Sequence, residues 1–507
     1  MTTTTRPPEQ PVIAHVIGGV ETTGTSTRFG DVFDPAVGAV TSRVVLAETS
    51  DVDAAVAAAR EAFPAWRDAS LSKRTAVLFA FRELVHQHID ELAAVITAQH
   101  GKTLPDANGE VQRGLEVVEF ACGIGQILKG EASEQVSTGV DLTTMRQPLG
   151  VVVGITPFNF PVMVPMWMHP VAIACGNTFV LKPSERDPGV SNLVARLWRE
   201  AGLPAGVFNV VHGDIVAVQS LLAHPDVAAV SFVGSTPVAR IVQRTATENH
   251  KRVQALGGAK NHAVVLPDAD LDFAAGHITA AGYGSAGQRC MAVSAVVAVG
   301  DIADALVDRL AGLANDVTVG PGNQAASDMG PVVTAAARER ITTLIASAAE
   351  EGAELVTDGR GLLVEGNEGG FFLGPTLVDR VTPGMQIYTE EVFGPVLVVL
   401  RVETVAEALA IVDDNPFGNG VALFTSSGFA AREFVHRVKV GMVGVNVPIP
   451  VPMAYHSFGG WKDSLFGDHH IHGMEGVRFY TRAKAVTTRW PAPDESHGAA
   501  FAFPTSQ

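Results

Sequence analysis

Cysteine is scarce in this chain: three thiols, Cys122, Cys175 and Cys290, are spread over 507 residues. An odd number at wide spacing builds neither a disulfide framework nor a zinc ligand set, and a reducing compartment is the simplest reading. Positive charge is also in deficit, with 36 Lys and Arg against 53 Asp and Glu and a formal net charge of −17. A field of that sign repels nucleic acid and anionic membrane surfaces. It repels anionic substrates too, so any anion site must be built locally from Arg, Lys or helix N-termini. No apolar run reaches the roughly 18 residues of a membrane span without polar breaks. Met1 to Gln10 is rich in Thr and Pro and holds no apolar stretch of the secretory kind. A cytoplasmic protein that engages neither nucleic acid nor membrane is expected.

What is abundant is apolar residues, 47% of the chain, together with 51 glycines. A chain this long exceeds one hydrophobic core, so two or three units sharing an interface are expected. Residues 51–70, 71–100 and 107–130 carry apolar positions at helical spacing. From Leu149 short apolar runs alternate with helical stretches. Strands are expected at 150–156, 177–183, 207–211, 228–233 and 252–256, with helices near 161–175, 188–201, 214–223 and 236–247 between them. That alternation argues a parallel sheet covered on both faces, the kind that binds nucleotides at its carboxyl edge. A second α/β region runs from about 262 to 445, with strands at 295–299, 396–402 and 421–425. The Pro-, Gly- and His-rich stretch 445–476 reads as a long ordered loop lining a site, and the last dozen residues as a loose tail.

Several segments carry candidate chemistry. Cys290, in GYGSAGQRCMAVSAVV, has a small-residue approach through Gly284 and Gly287 and a cation in Arg289, which suits a nucleophilic thiol, although a cysteine taken in isolation reads first as a small buried hydrophobe. Cys122 and Cys175 lie in apolar Ala- and Gly-rich settings and read as core residues. Asn159, in PFNFP, follows a strand and precedes a helix, where a side-chain amide can donate to an oxyanion; on this motif alone a turn Asn between two prolines is the simpler reading. Lys182 and Glu185, in LKPSERDP, end the next strand, where they suit ribose hydroxyls or an ordinary capped loop. Gly282 to Gly287 matches a dinucleotide GxGxxG, but a helix-like stretch precedes it and a strand-like one follows, the reverse of the required order. Asp468, His469, His470 and His472 are ligand-capable, yet their spacing matches no zinc motif, and no metal is expected.

In order, PFNFP, LKPSE, FVGST, LGG, GQRC and EEVFGP resemble the aldehyde dehydrogenase superfamily over about residues 15 to 490. The resemblance implies a parallel-sheet NAD-binding domain (1–132 and 149–258), an α/β catalytic domain (259–474) and a small β bridging arm (133–148 and 475–495) that builds a homotetramer. It implies Cys290 as nucleophile, with Asn159 and the Cys290 backbone N–H as oxyanion hole. NAD would be held by Thr156, Phe158, Lys182, Glu185, Arg186, Gly234, Ser235, Glu391 and Phe393. One departure matters: hydrolytic members carry Glu before Leu-Gly-Gly, and here Ala255 stands there. An alanine cannot activate water, so the acyl enzyme awaits another nucleophile such as coenzyme A. FNFPVMVPMWMHPVAIACGNT, QALGGAKNH and VNVPIPVPMAYHSFGGWKDSLFGD resemble the acylating methylmalonate-semialdehyde dehydrogenase branch. That branch implies a semialdehyde substrate, coenzyme A as co-substrate, and Arg113 and Arg289 on the substrate carboxylate. The alternative is a hydrolytic enzyme with a relocated base.

Overall fold

The computed structural model describes residues 10–491, and in them the α/β pattern closes into two large sheets. The first has eight strands in the order Leu465–Phe466, Arg252–Leu256, Val227–Val233, Val151–Ile155, Thr178–Lys182, Phe208–Val210, His15–Ile17 and Val20–Thr22. The middle five are parallel. Val151–Ile155 and Thr178–Lys182 are buried along their whole length. Alternate side chains feed different cores, Val152 one cluster and Val151 and Val153 another, as a sheet covered on both faces requires.

The chain path makes the site. From Val151–Ile155 it runs outward through Thr178–Lys182 to Phe208–Val210, then crosses back to lay Val227–Val233 on the other side of Val151–Ile155. Loops leaving the two neighbours diverge, opening a crevice at their carboxyl ends. Thr156 to Asn159 follow one strand and Gly234 and Ser235 the other.

The second sheet runs Glu354–Thr357, Thr376–Asp379, Val396–Val402, Val293–Val299, Asn261–Val265, Gly420–Phe424, Met442–Val445. All its pairs are parallel but the first. A separate antiparallel sheet joins Ala132–Ser137, Val140–Pro148 and Thr481–Arg489, with Thr481 opposite Pro148 and Arg489 opposite Val140. No helix among the described residues is long and apolar enough to cross a membrane.

Some expectations change in detail. The stretch 71–100 is two helices, Leu71–Gln87 and Ile89–His100, because His88 leaves helical geometry at φ −105° and ψ 18°. The stretch 107–130 is a helix Leu104–Cys122 and a short turn Ile124–Ile127, parted at Gly123. The loop 445–476 is less irregular than expected: Trp461–Lys462 pairs with Phe417–Gly418, and Leu465–Phe466 closes the edge of the first sheet. Residues 475–479 of the expected arm sit in a helix, Gly473–Phe479, that buries Val477 and Phe479; the arm strand begins at Thr481. The expected tail and residues 492–495 lie outside the described residues. The GxGxxG stretch lies between helix Leu271–Tyr283 and strand Val293–Val299, the unsuitable order.

Candidate active site

Cys290 sits in a loop whose shape depends on close backbone packing. Ser285, Ala286 and Gly287 have φ of 54°, 51° and 68°. Left-handed geometry at the two non-glycine residues costs about 1–3 kcal/mol each and persists only when packing imposes it. The packing is visible at Gly287, where a Cβ would stand 2.0 Å from the Gly394 carbonyl oxygen. GQRC and EEVFGP therefore touch backbone to backbone. Asn261 Nδ2 donates to the carbonyls of Cys290 and Ala292 at 2.9 and 3.0 Å, and Asn419 Nδ2 donates to that of Cys290 at 3.2 Å. These two amides, which the sequence did not single out, pin the nucleophile's backbone. An Asn opening a fully buried strand was the available signal for Asn261.

Burial, and then the charge of Glu391, push the Cys290 thiol up to about 12. Arg289 does not offset this as expected. Its Nη2 donates to Asp106 Oδ1 at 2.6 Å, and its pull on the thiol is the weakest of the influences on it. Gly284 makes room for the guanidinium, since a Cβ there would lie 2.5 Å from Nη1. The resting thiol is neutral. Glu391 borders the same cavity wall as Cys290, accepts from the Ala259 N–H at 3.0 Å, and is raised by burial to about 7. A carboxylate with that pKa accepts and returns a proton readily near neutrality.

Two cavities meet at Cys290. One, of about 320 Å³, is walled by Phe158, Asn159, Gly234, Ser235, Glu391 and Phe393. It is the crevice at the strand crossover. Helix Thr236–Glu248 begins there without a side-chain cap, leaving N–H groups for an anion. Thr156 Oγ1, at the end of Val151–Ile155, is buried with no partner among the described residues. At the end of the next strand Lys182 Nζ meets Glu185 Oε2 at 3.0 Å. The Arg186 guanidinium lies 4.9 Å from the centre of the Phe158 ring, which meets Phe393 edge-on at 5.8 Å. A bare helix N-terminus, an orphaned hydroxyl and a Lys–Glu pair on adjacent strand ends fit a dinucleotide.

The other cavity, of about 430 Å³, is lined by Asp106, Glu110, Arg113, Arg289, Phe160 and Trp167 and ends at Cys290. Its walls are apolar apart from the ionic residues. Each arginine already has a carboxylate partner, Arg289 on Asp106 and Arg113 on Glu116 at 2.6 Å, and Arg113 also donates to the Pro452 carbonyl at 3.0 Å.

Ala255 lies in strand Arg252–Leu256 with no exposed surface, between its register partners Phe232 and Phe466. Its methyl packs into the core, while Gly257 and Gly258 form the cavity wall. The His-rich stretch is held structurally. Gln254 donates to the carbonyls of His469 and His470 at 3.1 and 3.0 Å, His469 pairs with Glu475, and His472 packs on Trp167.

A nucleotide crevice that meets a cysteine loop from a second sheet defines an aldehyde-oxidising enzyme, and the chain belongs to the aldehyde dehydrogenase family, whose profile matches residues 22–486. The malonate-semialdehyde dehydrogenase of Pseudomonas aeruginosa is 55% identical over 492 residues, spanning 97% of this chain and 99% of that protein. The acylating, mitochondrial methylmalonate-semialdehyde dehydrogenase of Arabidopsis thaliana is 47% identical, spanning 99% of this chain and 82% of that one. A crystal structure from Sinorhizobium meliloti 1021, described as a methylmalonate-semialdehyde dehydrogenase complexed with NAD, matches with a TM-score of 0.95 at 51% identity, covering 96% of this chain and 99% of that one.

Proposed function

We propose that this enzyme oxidises methylmalonate or malonate semialdehyde with NAD and delivers the acyl group to coenzyme A, giving propanoyl-CoA or acetyl-CoA and carbon dioxide. The observation that carries the reading is the pair of guanidinium groups, Arg113 and Arg289, on the cavity that ends at Cys290, whose other ionic lining residues are Asp106 and Glu110. In a chain with a net charge of −17, these two guanidinium groups are the cations beside the nucleophile from which an anion site can be built, each exchanging part of its present carboxylate pairing for the substrate carboxylate. The names of the relatives above point to the same substrates.

The steps for the chain's own groups are as follows. Cys290 gives up its proton to solvent, and the thiolate attacks the aldehyde carbon. The oxyanion rests on the Asn159 amide and the Cys290 N–H. NAD would be held by Thr156, Phe158, Lys182, Glu185, Arg186, Gly234, Ser235, Glu391 and Phe393, and when bound would accept the hydride from the tetrahedral carbon. Collapse of the oxyanion leaves a thioester on Cys290. Breaking the bond to its β-carboxylate releases carbon dioxide and an enolate, which the same donors hold until carbon is protonated. Coenzyme A thiolate then attacks the thioester carbonyl, and Cys290 leaves as thiolate.

On this reading 1–132 and 149–258 hold the cofactor, 259–474 carry the nucleophile, and the β arm joins copies into a homotetramer. A second reading has one specific support: Glu391 is a carboxylate of raised pKa beside Cys290. It could activate water in place of the base missing at residue 255.

The substrate test follows from the arginines. Arg113→Ala and Arg289→Ala should each lower kcat/KM for methylmalonate semialdehyde about tenfold or more, as loss of a charge-assisted contact of about 1.5–3 kcal/mol implies. Uncharged propanal should lose less. Equal losses on both aldehydes would remove the carboxylate assignment. Glu185 yields a cofactor test, because its charge repels the extra phosphate of NADP. Wild type should strongly prefer NAD, and Glu185→Ala should narrow that preference. Equal efficiency with both cofactors in the wild type would take Glu185 off the ribose.

A further inference from the structure

We infer that the buried ion pair between Lys102 and Glu110 positions the oxyanion hole, by fixing the backbone that carries Asn159. The inference rests on the reading of Asn159 as the oxyanion donor, and the test below separates the two.

Both side chains are wholly inaccessible to solvent, and Lys102 Nζ lies 2.8 Å from Glu110 Oε2. The remaining hydrogen bonds of the pair converge on one short loop. Lys102 Nζ donates to the Asn159 carbonyl at 2.7 Å. Glu110 Oε1 accepts from the N–H groups of Val162 and Met163 at 2.8 and 3.1 Å. The ammonium also sits 4.3 Å from the centre of the Phe160 ring. Residues 159 to 163 are thus gripped at both ends by opposite charges.

The grip is anchored from behind. Glu110 belongs to helix Leu104–Cys122, which meets helix Met163–Ala174 so closely that a Cβ on Gly114 would lie 2.8 Å from Met166 Sδ. Lys102 follows Gly101, and their carbonyls face Gly322 and Gly330, where a Cβ would stand 2.3 Å from the Lys102 oxygen and 2.0 Å from the Gly101 oxygen respectively.

Stability alone does not account for the pair. Two charges taken out of water recover their desolvation only with excellent geometry, and an apolar replacement of similar volume is often neutral or stabilising. An apolar pair could not hold a carbonyl and two N–H groups in fixed places. The carbonyl belongs to Asn159, so its peptide plane, and with it the base of the amide side chain, is fixed before substrate arrives. An oxyanion donor must reach about 2.7–3.1 Å from the developing charge, and a misplacement near 1 Å can cost about a hundredfold.

The test is a double-mutant cycle read by the rate of the first-turnover NADH burst. Asn159→Ala should slow the burst about 10²–10³-fold, the usual loss for one oxyanion donor. Lys102→Met should slow it roughly ten- to a hundredfold, with little change in KM for aldehyde or in NADH binding by fluorescence. In the Asn159→Ala background, Lys102→Met should add under about threefold, because the donor it positions is gone. Glu110→Gln, which keeps an acceptor for the two N–H groups, should lose less than Glu110→Ala. If Lys102→Met does not fold with Glu110 unpaired, Lys102→Met/Glu110→Gln takes its place in the same cycle. An unchanged burst in the Lys102 variant, or losses that multiply fully with those of Asn159→Ala, would overturn the inference. A fast burst in Asn159→Ala alone would instead overturn the oxyanion reading itself.

Discussion

Cys290→Ala should lose NADH formation by roughly 10⁴-fold or more, the scale seen when a covalent nucleophile is removed. NADH binding should survive, because the crossover crevice is built from the loops after Val151–Ile155 and Val227–Val233 and from residues 391 to 393, none of which depends on the thiol. Cys122→Ala and Cys175→Ala are the controls. Burial raises those thiols to about 11 and about 12, close to Cys290, so acidity does not single out the nucleophile. Position does: Cys290 borders both cavities, whereas Cys122 and Cys175 are packed in the main core. The controls should keep near-normal turnover and lose only modest stability, as small core truncations do. Substantial turnover by Cys290→Ala would remove the covalent mechanism.

The second large effect is the dependence on coenzyme A. Without it, wild-type enzyme should release about one equivalent of NADH per active site and then slow sharply, because the thioester is not cleared. A well-placed general base is worth about 10²–10⁴-fold, and steady turnover should fall by that order. Adding coenzyme A should restore it, with an acyl-CoA as product. Ala255 makes the case chemically, because its methyl is sealed between Phe232 and Phe466 and presents nothing to a water in the cavity. Glu391 makes the opposing case, with its pKa near 7 and its charge felt by Cys290. Rapid steady NADH formation without a thiol acceptor, yielding free acid, would hand hydrolysis to Glu391 and remove the acylating assignment. Ala255→Glu is the weaker experiment, since a larger side chain must first find room among those two rings.

The sequence alone determined the sheet architecture and most of the residues that meet in the site. Val151–Ile155 and its parallel neighbours were legible because a strand buried on both faces is an unbroken apolar run, and the helices between them because amphipathic spacing is a local property. Cys290, Asn159, Glu391 and the paired glycines were legible as short motifs in a set order. Helix ends at His88 and Gly123 were not, since nothing in the apolar period marks them. Only the tertiary structure decided which charges meet. Arg289 read as a cation for the thiol, yet it pairs with Asp106, 183 positions away along the chain. Lys102 and Glu110 carried no motif, and their role appears only where Lys102 reaches the Asn159 carbonyl, 57 positions on. Periodicity and motifs are written in neighbouring residues. The partner of a buried charge is set by where distant segments pack, and burial then makes that pairing obligatory, because an unpaired charge in the interior is too costly to keep.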